Sequence, residues 1–191
     1  MKRVAIFVSG SGTNMENILQ RIREGKIKAE AALVVSDNPQ AYALKRAEQY
    51  DVECVVVDRK RLGSKESFEA EIHRHLERKK IDYIILAGFM RVLSPSFVQA
   101  FPNRILNIHP SFLPKFPGAH AIRDAWKAKM KKTGVTIHFV DEGVDTGAII
   151  LQREVSIEKA DTLESLEKKI HAVEYELYPE AIHLVLSGKK R

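Results

Sequence analysis

Short apolar runs alternate with amphipathic stretches over the first part of the chain, and few architectures accept that alternation. Arg3 to Val8, Ala31 to Val35, Cys54 to Val57 and Tyr83 to Leu86 are rich in β-branched or apolar residues and read as strands. Between them, Met15, Ile18, Leu19 and Ile22 recur at helical spacing. Ala41 to Tyr50 continues the pattern as a second helix. Ser64 to Lys80 is a long amphipathic helix, with Ser64 and Ser67 both suited to cap it. A β-α-β-α order predicts a parallel sheet with right-handed crossovers and helices on both faces. Tyr83 to Leu86 is apolar throughout, as a strand covered on both faces should be. Sheets of this kind bind ligands beyond the carboxyl ends of their strands.

The rhythm changes after residue 87. Ala87-Gly88-Phe89-Met90-Arg91 leaves the fourth strand and a short helix follows Pro95. Ile105 to Ile108 is a fifth strand. The loop from His109 to His120 holds Pro110, Pro114 and Pro117, and long loops inside compact domains are usually functional. Ala121 to Lys131 is expected to be helical. Val135 to Val140 and Ala148 to Val155 read as two strands joined by a glycine-bearing acidic turn. Thr162 to Leu186 reads as a helix with one interruption at Pro179. The expected fold is α/β and Rossmann-like, with three layers, a mostly parallel central sheet and an antiparallel C-terminal portion. No repeat or linker divides the chain, so a single domain over residues 1–191 is expected.

Composition narrows the partners. A chain of 191 residues with 45% hydrophobic and 29% charged residues has the profile of a globular domain with a sizeable core. A net charge of +6 suits anionic ligands such as phosphates or polycarboxylates. Nucleic acid is the competing partner, but the basic residues are scattered among acids. The one tight cluster, Lys189-Lys190-Arg191, reads as a solvated end. Cys54 is the lone cysteine and demands no oxidising compartment; its run Cys54-Val55-Val56-Val57 marks it as a small buried hydrophobe. The first apolar run meets Ser9-Gly10 too soon for a signal peptide or a membrane span, so a cytoplasmic protein without a membrane partner is expected.

Three segments carry chemistry, and all fall where strands end. Gly10-Ser11-Gly12-Thr13-Asn14 follows the first strand and opens a helix. Glycines let a backbone approach an anion, and helix N-terminal amides point at it, so a phosphate site is the direct reading. A dinucleotide fingerprint is the rival, with Asp37 as its acid, but Met15 stands where the third glycine belongs. A tight turn with no ligand explains the same residues. Asn107-Ile108-His109-Pro110-Ser111 ends the fifth strand, and alternation puts Asn107 and His109 on one side of the chain. An amide beside an imidazole suits a carbonyl oxygen that gains charge under attack. The bland alternative is a pair that merely pins the proline loop. In Asp141-Glu142-Gly143-Val144-Asp145-Thr146-Gly147, Asp145 is the candidate partner for an imidazole, since a nearby carboxylate stabilises imidazolium. Asp141 and Glu142 are read as an ordinary acidic turn.

The remaining histidines do not assemble a metal site. His73 and His75 lie two apart on a helix and do not share a face. His171 and His183 fall on a late helix, while His120 and His138 lack a partner at ligand spacing. No metal is expected, and Trp126 is read as a packing residue.

Taken together, these segments resemble the folate-dependent formyltransferase family. The likeness runs through Val8-Ser9-Gly10-Ser11-Gly12-Thr13-Asn14, Leu86 to Pro95, Leu106 to Gly118 and His138 to Gly147, in that order and over nearly the whole chain. The resemblance implies a nucleotide-binding half over about residues 1–100 and a folate-binding half over about 101–191. It implies formyl transfer from 10-formyltetrahydrofolate, the co-substrate, to the amine of N1-(5-phospho-D-ribosyl)glycinamide in de novo purine (IMP) biosynthesis. The products are the N-formyl nucleotide and tetrahydrofolate. The glycine turn narrows the acceptor.

The implied roles fall residue by residue. Gly12, Thr13 and Asn14 would bind the ribonucleotide phosphate, and Glu174 with His171 nearby would meet the glycinamide end. Met90, Arg91, Val92 and Leu93 would line the pterin pocket, and Asp141, Glu142, Gly143, Val144 and Asp145 would form the folate loop. Lys65 would contact the folate, where the family more often has arginine. Asn107 would contact the formyl group, His109 would be the general acid, and Asp145 would keep it protonated and oriented. Ala148 and Ile122 depart from the family pattern at positions that carry no chemistry. The alternative activity is 10-formyltetrahydrofolate hydrolysis; that group usually carries a further N-terminal domain and a second histidine where Pro110 stands. A methionyl-tRNA formyltransferase would need a C-terminal RNA-binding domain. A non-catalytic nucleotide-binding module would leave Asn107, His109 and Asp145 without a purpose. The partners expected are small-molecule substrates, with a homodimer left open.

Overall fold

Strand β1 (Lys2–Val8) lies inside a seven-stranded sheet and shows why the chain folds in three layers. Its residues are buried on both sides: Val4, Ile6 and Val8 join one apolar core, while Ala5 and Phe7 join the other. A computed structural model describes residues 1–188; the basic tail Lys189-Lys190-Arg191, expected to be a solvated end, lies outside the described residues.

The chain continues through α1 (Thr13–Arg23), β2 (Ala29–Ser36), α2 (Tyr42–Glu48), β3 (Cys54–Val56), α3 (Arg59–Leu62), α4 (Lys65–Arg78) and β4 (Tyr83–Leu86). It is completed by α5 (Pro95–Ala100), β5 (Ile105–His109), α6 (Ala121–Lys127), β6 (Lys132–Phe139), β7 (Ile149–Ser156) and α7 (Leu163–Leu186). The sheet order is β3-β2-β1-β4-β5-β6-β7. The strands from β1 to β5 pair in parallel, and β6 and β7 add on antiparallel, which is the α/β architecture the alternation calls for. One core packs α1, α2 and α7 on the sheet, with α6 at its margin; the other packs α4 and α5.

Four details differ from the sequence reading. The helix expected over Ala121 to Lys131 stops at Lys127, and Lys129 takes a left-handed φ of 51° that ends it. Strand β6 starts at Lys132 rather than Val135, because its early residues pair with β7 although Lys132 and Gly134 break the apolar pattern. The short helix α3 carries no apolar periodicity and is started by Asp58, whose carboxylate accepts from the Lys60 amide. Helix α7 runs through Pro179 without interruption. A proline leaves the carbonyl four residues earlier without its helical donor. That carbonyl belongs to Tyr175, and the Asn17 side-chain amide of α1 donates to it at 2.8 Å. The neighbouring helix supplies the missing hydrogen bond, so the proline is tolerated.

Of the two serines suited to capping α4, Ser64 does so, accepting from the Ser67 amide at 3.0 Å. Tyr178 of α7 is fully buried, and its hydroxyl reaches the carbonyls of Leu86 at 2.8 Å and Leu106 at 3.1 Å. It thereby fastens α7 to β4 and β5 beside the segments that build the site.

Candidate active site

The order of the sheet reverses between β1 and β4. From β1 the chain moves outward to β2 and β3, then returns to β4 on the opposite side. Loops leaving such a point diverge to opposite faces and open a crevice at the strand ends. Two adjoining clefts occupy this crevice. They share the walls Gly88, Met90, Ile108 and Pro110.

The first cleft holds about 290 Å³ and runs along Gly88 to Leu93, the end of β5 and the turn Asp141 to Asp145. Met90 and Val92, 73% and 65% exposed, stand on one lip, and Val144 stands on the other at 52%. Large apolar side chains left uncovered around one cleft mark a ligand site. Arg91 is anchored beside it: its Nε donates to Asp37 Oδ2 at 2.6 Å. Asp37, offered by the dinucleotide reading as a ribose acid, is instead a buried partner of this arginine. Its second oxygen is buried without a hydrogen-bond partner among the described residues.

Asn107, His109 and Asp145 converge at the inner end of this cleft. His109 Nδ1 lies 3.3 Å from Asp145 Oδ2, and Asn107 Nδ2 donates to Asp145 Oδ1 at 3.4 Å. His109 Nε2 lies 2.8 Å from the Phe116 carbonyl. Carboxylate and carbonyl oxygens only accept, so these surroundings suit a ring that carries a proton on each nitrogen. Asp145 also accepts from the Gly118 amide at 2.9 Å. Burial alone would raise the carboxyl of Asp145. The hydrogen bond from His138, the Gly118 amide and the charges of His109 and His138 outweigh it and bring the pKa down to about 2. Asp145 itself holds a left-handed φ of 55°, uncommon for a residue with a side chain.

The second cleft, about 340 Å³, is lined by Ser9 to Asn14 on one side and by His171 and Glu174 of α7 on the other. Glu174 is buried and takes hydrogen bonds from His171 Nδ1 at 2.8 Å and Asn14 Nδ2 at 3.1 Å. The hydrogen bond to Glu174 raises the pKa of His171 against the opposing effect of its burial. The Asn14 side-chain oxygen is buried with no donor among the described residues, an acceptor left for a ligand. Gly12 turns the loop at φ +76°, and a Cβ there would lie 2.4 Å from the Cβ of Ala43. Gly12→Ala therefore forces both a disfavoured backbone and a steric clash. It is expected to lower folding stability by about 1–3 kcal/mol, read as a drop in the urea midpoint at unchanged slope. An unchanged midpoint would mean that α2 yields freely.

Most of the residues singled out in the sequence thus gather around the two clefts, and two do not. Glu142 turns away and accepts from Gln99 Nε2 at 2.6 Å; it forms no part of the cleft wall. Asp141 lines the cleft but also holds its own turn, accepting from the Gly143 amide and the Thr146 hydroxyl. Lys65 opens α4, outside both cleft walls, with its ammonium 4.0 Å from Glu69. His138 belongs to the site although the sequence reading passed over it. It is 2% exposed, its Nε2 lies 3.3 Å from Asn107 Nδ2 and 3.5 Å from Asp145 Oδ1, and it pairs across the sheet with Asn107. The signal available was a histidine inside an apolar strand next to the acidic turn. Among the described residues, no group of three or more His, Cys, Asp or Glu side chains is gathered as metal ligands would be.

An open α/β sheet with an amide, an imidazole and a carboxylate at the meeting of two clefts defines a class. It is that of enzymes which bring two ligands together over one polarising centre. The comparisons make the class specific. The family model described as "Formyl transferase" matches residues 2–182, and the chain belongs to the formyl transferase family. A phosphoribosylglycinamide formyltransferase of Bacillus subtilis is 42% identical over 100% of this chain and 98% of its own. The structure of a phosphoribosylglycinamide formyltransferase from Bacillus halodurans superposes with a TM-score of 0.94 at 51% identity, covering 97% of this chain and 96% of the other. A glycinamide ribonucleotide transformylase 1 from Geobacillus kaustophilus gives a TM-score of 0.95 at 47% identity, covering 97% and 99%.

Proposed function

We propose that this protein transfers the formyl group of 10-formyltetrahydrofolate to the amine of N1-(5-phospho-D-ribosyl)glycinamide. The single observation that carries the reading is the convergence of Asn107, His109 and Asp145 where the two clefts adjoin. The relatives' shared name supplies the acceptor and the group transferred, and the resemblance to the folate-dependent family supplies the donor. In this reading Gly12, Thr13 and Asn14 take the phosphate end of the nucleotide, and His171 and Glu174 lie along its other wall. Met90 to Leu93 and the Asp141 to Asp145 turn embrace the pterin. The apolar lips Met90, Val92 and Val144 suit its flat ring.

The chemistry follows from what each side chain can hold. The nucleotide amine attacks the formyl carbon and a C–N bond forms, pushing the carbonyl electrons onto oxygen. Asn107 donates to that oxygen through its amide, and His109 donates through Nε2, exchanging the Phe116 carbonyl for a more basic acceptor. Asp145 faces Nδ1 and compensates the ring's positive charge. The C–N10 bond then breaks, N10 takes up a proton, and the amine gives one up. No covalent link to the protein is needed.

The test is to incubate the pure protein with 10-formyltetrahydrofolate, with and without the nucleotide, following both folate and nucleotide products. The expected result is folate turnover that depends on the nucleotide, with one formylated nucleotide per tetrahydrofolate. Formate release without the nucleotide would overturn the transfer reading in favour of hydrolysis. No turnover in either mixture would overturn the choice of acceptor.

A further inference from the structure

We infer that Arg46, aided by Asn38, is a positioning residue that sets the Gly10 to Asn14 loop in its anion-binding form. The inference rests on the reading of the second cleft as a phosphate-bearing nucleotide site. Three consecutive carbonyls at the start of the loop are each taken by a donor from the β2–α2 segment. Asn38 Nδ2 donates to the Ser9 carbonyl at 3.2 Å. The Ala43 amide donates to the Gly10 carbonyl at 3.0 Å. Arg46 Nε donates to the Ser11 carbonyl at 2.9 Å. By contrast, the amides of Gly10, Ser11 and Gly12 donate to no acceptor among the described residues. A peptide unit is rigid, so fixing its carbonyl oxygen fixes the direction of the amide on the same plane. The staple therefore commits the oxygens to protein donors and leaves the amides available for an anion.

The two anchors are themselves held. The Asn38 side-chain oxygen accepts from the Gln40 amide at 2.9 Å, and its backbone is locked to buried Ser36. Arg46 Nη1 pairs with Glu16, and its guanidinium lies 5.0 Å from the centre of the Tyr42 ring. Glu16 lies in the first turn of α1, next to the loop. Its carboxylate would repel a phosphate there if it stood alone, so Arg46 has a second effect, that of neutralising it. Two roles are thus possible for one side chain, geometric and electrostatic, and the structure assigns the first as dominant. The guanidinium bridges loop carbonyl and helix carboxylate with separate nitrogens, which an ammonium cannot reproduce.

Calorimetric binding of phosphoribosyl glycinamide, without folate, separates the possibilities. Arg46→Met is expected to weaken binding by at least about tenfold, the worth of one charge-assisted hydrogen bond. Tetrahydrofolate binding in the neighbouring cleft should stay within about twofold of wild type, which general unfolding would not allow. Arg46→Met with Glu16→Gln removes the carboxylate left unpaired. It is expected to recover less than about threefold of the loss if geometry dominates. Asn38→Ala releases the Ser9 carbonyl from the other end of the staple. It should weaken the nucleotide selectively too, and it carries the test if the Arg46 variant does not fold. Nucleotide binding within about twofold of wild type in Arg46→Met overturns the inference, as does full recovery in the double variant. A wild type that binds tetrahydrofolate but no nucleotide overturns the nucleotide reading itself.

Discussion

His109→Ala is expected to lower turnover by about 10³-fold while leaving nucleotide affinity nearly unchanged. The estimate joins two effects lost together: a general acid worth about 10²–10⁴ and an oxyanion donor worth about 10²–10³, which are not additive when one side chain supplies both. The structure gives reason to expect a folded variant. Asp145 would keep the Gly118 amide at 2.9 Å and Asn107 at 3.4 Å, so its carboxylate is not left bare. The Phe116 carbonyl would lose the ring at 2.8 Å, loosening the proline loop and costing some stability. Single-turnover rates with nucleotide binding measured separately would distinguish chemistry from binding. Turnover within a few-fold of wild type would remove His109 from the mechanism and shift attention to His138.

The sequence reveals the frame well because its signals are local. Apolar runs and helical spacing are properties of neighbouring residues, and β1, β2, β4 and α1 follow from them with little adjustment. Elements without that periodicity stayed hidden: α3 rests on the Asp58 cap and on Leu62 packed against the core, and the continuity of α7 through Pro179 depends on Asn17, distant in the chain. The site divides along the same line. Asn107 and His109 are legible because strand alternation puts them on one side, and Asp145 because its turn is rich in carboxylates. His138 was not, since its place opposite Asn107 is a matter of antiparallel register. The β5–β6 register runs unbroken there, while a bulge between Ile137 and His138 shifts β6 against its other neighbour, β7. Asp37 carried the right residue type for the wrong reason: it follows a strand as a ribose-binding acid would, yet it serves Arg91. Glu142 and Lys65 show the converse, motif residues whose side chains meet Gln99 and Glu69 rather than the cleft wall in this structure.

Asp145→Asn gives the second large effect and tests charge rather than shape. The variant keeps an oxygen for the Gly118 amide, so the left-handed turn at residue 145 should survive. What it loses is the negative charge facing His109 Nδ1 and His138 Nε2. Its new amide nitrogen would also point a donor at the ring or at Asn107, where only an acceptor serves. Loss of the acid in such a carboxylate–imidazole pair costs on the order of 10⁴ in turnover, and a comparable fall is expected here at neutral pH. The same substitution has a pH signature. Asp145 titrates near 2 when folded, below the ordinary value of 3.8. A depressed folded pKa stabilises the protein fully above the unfolded value and loses that contribution as pH falls through the folded one. Acid should therefore erode the stability of wild type relative to Asp145→Asn between about pH 4 and pH 2. Urea midpoints for both proteins across that range read the effect directly. A gap that stays constant down to pH 2 would mean that Asp145 is no more acidic folded than unfolded. The charge compensation assigned to it in catalysis would then have no basis.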